Sequence, residues 1–204
     1  MSESLSKQIE ARIDEELRLN RYPLEIIQRQ FAEEYAKELP PGQSSRLIAE
    51  ILERRLKVFQ TSQRDWPAIT DADRLDAAIR ELTDAGLQAY VNYWCCPSCA
   101  FGALSNDRKR LESLGHPPRG YFFCHEQQFE NVFRHEGIIF GWGAYANDEP
   151  KTWKTLGADI RATLKRHGLK VDWDGSPTGW IGVWLDWKRR TPLPAIPNWP
   201  DNGC

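Results

Sequence analysis

Three thiols fall within five residues in Cys95-Cys96-Pro97-Ser98-Cys99, at the end of the apolar run Leu87 to Trp94. A later run, Gly120-Tyr121-Phe122-Phe123-Cys124-His125-Glu126, adds a further thiol and an imidazole. Clustered sulfur and nitrogen of this kind serves a metal, redox chemistry or a packed corner. The two-residue spacing of Cys96 and Cys99 lets both thiolates reach one tetrahedral ion. Four ligands are then needed, and Cys95, Cys124, His116, His125 and His135 remain as candidates. Successive strand residues point to opposite faces, so Cys124 and His125 do not readily serve together. In the metal reading one of those two, with Cys95, His116 or His135, completes the four ligands, and zinc is the ion.

Redox chemistry is the second reading. A Cys-Pro-Ser-Cys segment at a strand end that leads into a helix is where thioredoxin-like proteins keep reactive thiols, because a helix N-terminus favours the thiolate. A third reading makes a cysteine the nucleophile and His125 its base, with Glu126, Glu130 or Asp172 orienting the imidazole. A purely structural reading stands beside these. Reduced cysteine behaves as a small apolar group and is often buried, and His125 then simply forms a hydrogen bond in the core.

Other chemistries lack their residues. The chain has no GxSxG elbow, P-loop or HExxH. Gly141-Trp142-Gly143 is not followed by the helix-opening glycines of a dinucleotide loop, and reads instead as a close backbone approach. Asp172, Asp174 and Asp186 flank a turn, where turn chemistry accounts for Asp174 more simply than a cation does. Net charge is −2, and the single basic cluster, Lys188-Arg189-Arg190, reads as solvated charge at a strand end. Nucleic acid is disfavoured, since phosphate binding needs a basic surplus. Without a long apolar run or a basic-then-apolar leader, the chain reads as cytoplasmic, with no membrane partner.

The elements that must position the thiols follow from periodicity. Apolar residues at Ile9, Ile13 and Leu17, then Ile27, Phe31 and Tyr35, then Leu47 through Phe59 predict three amphipathic helices. Their expected role is to pack on one another and on the rest of the chain. Thr70-Asp71-Ala72-Asp73 predicts an N-cap and a helix that stops at Gly86. Leu87 to Trp94, Gly120 to Glu126 and Gly137 to Tyr145 read as strands. A helix or ordered loop spans Gly102 to Leu114, and a short helical piece spans Phe129 to Arg134. A further helix runs from Pro150 to Gly168. Leu169 to Trp173 and Trp180 to Trp187 form a closing hairpin. Seven of the nine tryptophans lie between Trp94 and Trp187, which points to the main core there.

These readings make the fold α+β. N-terminal helices precede a mixed or mainly antiparallel sheet covered by helices and ending in a β-hairpin. The expected divisions are a helical segment over 1–60, an α+β domain with the Cys/His corner over 61–190, and a proline-rich tail over 191–204.

Several of these residues also form a pattern. Thr70-Asp71-x-Asp73-Arg74-Leu75-Asp76-Ala77-Ala78, then Cys95-Cys96-x-x-Cys99, then Gly120-Tyr121-x-Phe123-x-His125-x-Gln127 occur in order. Val171-x-Trp173-Asp174-Gly175-Ser176-Pro177 and Ile181-x-Val183-x-Leu185-Asp186-Trp187 follow. The set resembles a family of uncharacterised bacterial proteins, a domain of unknown function, over about residues 60–190. The resemblance implies no activity. It implies that Cys95, Cys96, Cys99 and His125 are the matching site positions. This chain departs from the pattern at Ala100, Cys124 and Gln128, where glycine, an aromatic residue and aspartate are expected.

The leading expectation is a non-enzymatic module with a structural, zinc-holding Cys/His corner that binds a protein partner. The alternative is a thiol-dependent enzyme that uses the Cys-Pro-Ser-Cys segment and His125.

Overall fold

The computed structural model describes residues 3–135, 137–145, 150–177 and 179–191. The expected proline-rich tail lies outside the described residues apart from Thr191. The chain divides into two compact units. One contains the N-terminal helices up to Ala68 and the segment that begins at Lys188; the other is Ile69–Trp187.

In the first unit the apolar stripes become α1 (Glu3–Leu19), α2 (Leu24–Glu34) and α3 (Ser44–Ser62), with a 3-10 turn at Gln63–Asp65. Their four-residue spacing puts Ile9, Ile13 and Leu17 on one buried line. That line packs with Ile27, Phe31, Tyr35, Ile48, Ile51 and Leu52 into a core of its own. The tryptophan-rich half therefore does not hold the only core. Helix α1 stops at Asn20, whose left-handed φ of 46° breaks the helical run. The Asn20 amide donates to the carbonyls of Arg189 and Arg190 at 2.9 and 2.8 Å. The Arg190 guanidinium lies 5.9 Å from the centre of the Trp66 ring. The basic cluster is thus not a solvated strand end, because its backbone and one of its side chains are engaged by this unit.

The second unit opens with α4 (Asp71–Asp84). Thr70 Oγ1 accepts the Asp73 N–H at 3.2 Å and Asp73 Oδ2 accepts the Thr70 N–H at 2.8 Å. This capping box satisfies two donors that would otherwise be orphaned at the helix start. Gly86 ends the helix at φ 85°, a conformation that favours glycine. There follow β1 (Leu87–Tyr90), α5 (Pro97–Ser113), β2 (Gly120–Phe123), α6 (Glu126–Phe129) and α7 (Val132–His135). Then come β3 (Gly137–Ala144), α8 (Pro150–Arg166), β4 (Lys170–Asp172) and β5 (Ile181–Trp184).

The five strands form one mixed sheet in the order β1-β2-β3-β5-β4. Strand β1 runs parallel to β2, with Leu87 opposite Gly120, and the remaining pairs are antiparallel. The α+β expectation holds, and the closing hairpin is β4 with β5. Asp174 Oδ1 accepts the Ser176 N–H at 2.7 Å, which makes it the turn residue of that hairpin.

Alternation along the strands separates two faces. On one, Phe122 stacks on Phe140 at 4.3 Å, with Ile138, Ile181 and Val183 buried beside them. Helix α8 packs on β3 and β4, α4 packs on β1, and the two helices touch each other. On the other face Phe123 packs with Ala100 and Leu104 of α5. Farther along that face stand Gly141, Gly143 and Gly182, with the exposed side chains of Ile139 and Trp184.

Several element boundaries differ from expectation; β2 stops at Phe123 rather than Glu126, and the short helical piece after it is two helices, α6 and α7. Strand β1 stops at Tyr90 rather than Trp94, because Asn92 and Trp94 take left-handed φ values of 56° and 61° that no strand sustains. Helix α5 begins at Pro97, not Gly102, since proline is pre-set for the first helical position. The last strand ends at Trp184 rather than Trp187.

Candidate functional site

The Cys-Pro-Ser-Cys segment forms the first turn of α5. Cys96 is the N-cap with extended backbone (φ −148°, ψ 168°), and Pro97 is the first helical residue. Cys99 therefore sits one turn into a 17-residue helix, on the same side as Cys96. The sulfurs of Cys95, Cys96 and Cys99 lie within 4.8 Å of one another and could hold a metal ion. All three residues are partly exposed.

The two thiols of the helix turn are unequal. The Cys99 backbone N–H, and then the Cys99 thiol, donate towards Cys96 and hold its pKa below the usual thiol value. The same thiol interaction, and then burial, push Cys99 up. The positive end of the helix acts in the same direction on Cys96.

The loop before the helix is held by its surroundings. The Tyr93 N–H donates to the Cys124 carbonyl at 2.8 Å, and the Glu126 N–H donates to the Trp94 carbonyl at 2.9 Å. The Cys124 N–H returns to the Tyr90 carbonyl at 3.2 Å, and the Asn92 N–H reaches Cys124 Sγ at 3.4 Å. Parallel pairing thus continues past β1 and β2 and carries residues 124–126 alongside Tyr93 and Trp94. The Tyr93 ring stacks on Tyr90 at 4.2 Å, and its hydroxyl donates to Asp107 Oδ2 at 3.1 Å. Burial, and then the Asp107 charge, keep that phenol protonated well above its ordinary range. A positive φ at a bulky residue such as Trp94 is uncommon, and it lies immediately before the thiols.

The structure brings Cys95, Cys96 and Cys99 together and leaves His125 outside that group. His125 is 7 % exposed, and burial lowers its pKa so that the ring is neutral near pH 7. Its Nδ1 has no hydrogen-bond partner among the described residues, and neither do the Asn92 side-chain amide atoms. The buried Cys124 also stands apart from the three clustered sulfurs.

His125 instead forms part of the wall of a cavity of about 160 Å³ beside the start of α5. Pro97, Phe101, Tyr121, Phe123, Gly141 and Trp180 are among its other walls. Phe101 meets Tyr121 and Phe123 edge to face at 5.7 and 5.3 Å. Trp142 and Trp153 complete the aromatic surround, their rings 5.9 Å apart. This cavity was not foreseen from sequence. Its one sequence signal is the paired glycines of β3. A Cβ at Gly141 would make ordinary contacts with Trp180 and Phe123, and a Cβ at Gly143 would come 2.6 Å from the Tyr121 hydroxyl. The close approach expected there is made by rings rather than by backbone.

No described helix is long and apolar enough to cross a membrane. No curated protein and no solved structure matches the chain. Residues 2–191 match the family model described as "Domain of unknown function (DUF6891)", and the chain belongs to that family.

Proposed function

We propose that the protein is a thiol–disulfide oxidoreductase acting on a disulfide-bearing polypeptide, with Cys96 as attacking sulfur and Cys99 as resolving sulfur. One observation carries this reading. Cys96 caps α5, Cys99 follows one turn later, and their sulfurs are within 4.8 Å. Both are reduced thiols with partial exposure, as exchange requires. The parallel β1-α5-β2 unit around them supplies the strand-then-helix setting that makes such a motif reactive.

The reaction balances without a bound group. The Cys96 thiolate attacks one sulfur of the substrate disulfide, and the other substrate sulfur leaves and takes a proton. Cys99 then gives up its proton and attacks the Cys96 sulfur, and the second substrate thiol leaves. The substrate gains two electrons as two thiols, and the protein becomes a Cys96–Cys99 disulfide. A dithiol donor of lower potential restores it, which suits a reducing compartment such as the cytoplasm.

A second reading is favoured by the three-sulfur cluster itself: a non-enzymatic, protein-binding module whose clustered sulfurs hold zinc, without His125. Metal analysis and mass spectrometry on untagged protein separate the two. Oxidised protein should contain an intramolecular Cys96–Cys99 disulfide, and Cys99→Ser should trap a mixed disulfide at Cys96. Bound zinc, with Cys96 and Cys99 unreactive until a chelator is added, would defeat the oxidoreductase reading.

A further inference from the structure

We infer that the cavity beside α5 receives an aromatic side chain that neighbours the substrate's disulfide. The inference rests on the oxidoreductase reading and names its substrate class.

Position comes first. Pro97 follows Cys96 directly and also lines the cavity, and Phe101 stands one turn farther along the same helix. His125, also in the lining, belongs to the segment hydrogen-bonded to the loop before the thiols. A chain whose disulfide meets Cys96 therefore carries its neighbouring side chain to the cavity mouth.

Size and surface come second. A cavity of about 160 Å³ matches one ring, since an apolar cavity of about 150 Å³ takes up benzene. Edges and faces from Phe101, Tyr121 and Phe123 offer the T-shaped and offset contacts that rings prefer. Phe101 and Trp180 are 48 % and 63 % exposed, and large aromatic surface left in water beside a cavity marks a binding site. His125 adds a buried imidazole to the lining.

The glycines explain why the space exists. Gly141 faces the cavity from β3, and a Cβ built there lies 3.5 Å from Trp180 Cζ3 and 3.8 Å from Phe123 Cε1. Those are ordinary contact distances, as is the 3.8 Å to the Phe123 carbonyl oxygen, so a Cβ fits at Gly141 and Gly141→Val adds bulk at the cavity wall.

The test compares two cystine-containing peptides that differ only in having phenylalanine or alanine next to the disulfide. The wild type should reduce the phenylalanine peptide about tenfold faster, the factor expected from burying one ring. Gly141→Val and Trp180→Ala should bring that ratio close to one, and Gly102→Ala, at an exposed site in α5, should keep it. Trp180 is exposed, so its variant reports even where Gly141→Val folds poorly. Equal rates in the wild type, or a preference that persists in both cavity variants, would overturn the inference. If neither peptide is reduced, the oxidoreductase reading fails, and a separate measurement judges the cavity. N-acetylphenylalanine amide should shift the indole N–H resonances of Trp142 and Trp180 in the wild type but not in Gly141→Val. Absence of those shifts would overturn the ring assignment on its own.

Discussion

Replacing Gly157 by alanine sets two effects of known size against each other. Gly157 is buried within α8, where alanine is the better helix former by about 1 kcal/mol. Yet a Cβ at this position would lie 2.6 Å from Trp173 Cζ2 and 2.8 Å from Trp142 Cη2. The two indoles meet edge to face at 5.8 Å, and Trp142 is further held by its N–H, which donates to the Gly179 carbonyl at 2.7 Å. Neither ring can yield without disturbing the other, and overpacking of this kind costs about 1–3 kcal/mol. The net expectation is a destabilisation of about 1 kcal/mol, the difference between those two effects. Gly102→Ala is the matched control. It is helical and exposed, and its Cβ would meet nothing within 4 Å, so the propensity gain of about 1 kcal/mol stands alone. One substitution at two sites should therefore differ by about 2 kcal/mol in urea unfolding followed by far-UV circular dichroism. Trp142 also lines the cavity, so Gly157→Ala should shift its indole N–H resonance. Equal stabilisation by both variants would refute the packing of Trp142 and Trp173 against α8.

Leu104→Ala should cost about 2–5 kcal/mol, because Leu104 of the thiol-bearing helix is buried with Ala100 against Phe123; unfolding midpoints check this, and a loss within experimental error would contradict it. Thr70→Ala should destabilise by about 1 kcal/mol through loss of the oxygen that accepts the Asp73 N–H, whereas Thr70→Ser should recover most of the loss. Burial holds Tyr145 protonated up to about 12, and its hydroxyl donates to Gln88 Oε1 at 2.6 Å. Its folded-state pKa is raised, so this contribution to stability is complete below the ordinary tyrosine range near 10 and is lost as pH rises towards 12. Ultraviolet titration should show late-ionising phenols, Tyr93 among them, and Tyr145→Phe should remove one of these; if the late-ionising phenols are equal in number in the variant and the wild type, the assignment is wrong.

Local chemistry was legible in the chain. Thr70 and Asp73 are three residues apart because a capping box needs that spacing, and the stripe Ile9, Ile13, Leu17 repeats because one helix face is buried. The turn at Asp174 and the hairpin it joins also follow from nearest neighbours. So does the placing of Cys96 and Cys99 one helical turn apart, once Pro97 is taken as the first helical residue. The start of α5 was missed because the apolar alternation of Leu87 to Trp94 outweighed that proline signal. The left-handed Asn92 and Trp94 are imposed by hydrogen bonds to Cys124 and by residue 126, which lie outside any local window.

What the sequence determined by itself is the order of helices and strands, the α+β class and the crowding of three cysteines into five residues. These depend on residues a few positions apart. The tertiary structure decided that β1 pairs in parallel with β2, that His125 stands outside the sulfur cluster, and that rings from α5, β2 and the segment before β5 line a half-open cavity. Those outcomes depend on which strands become neighbours, and strand order is set by burying both faces of the whole sheet at once, not by any single segment.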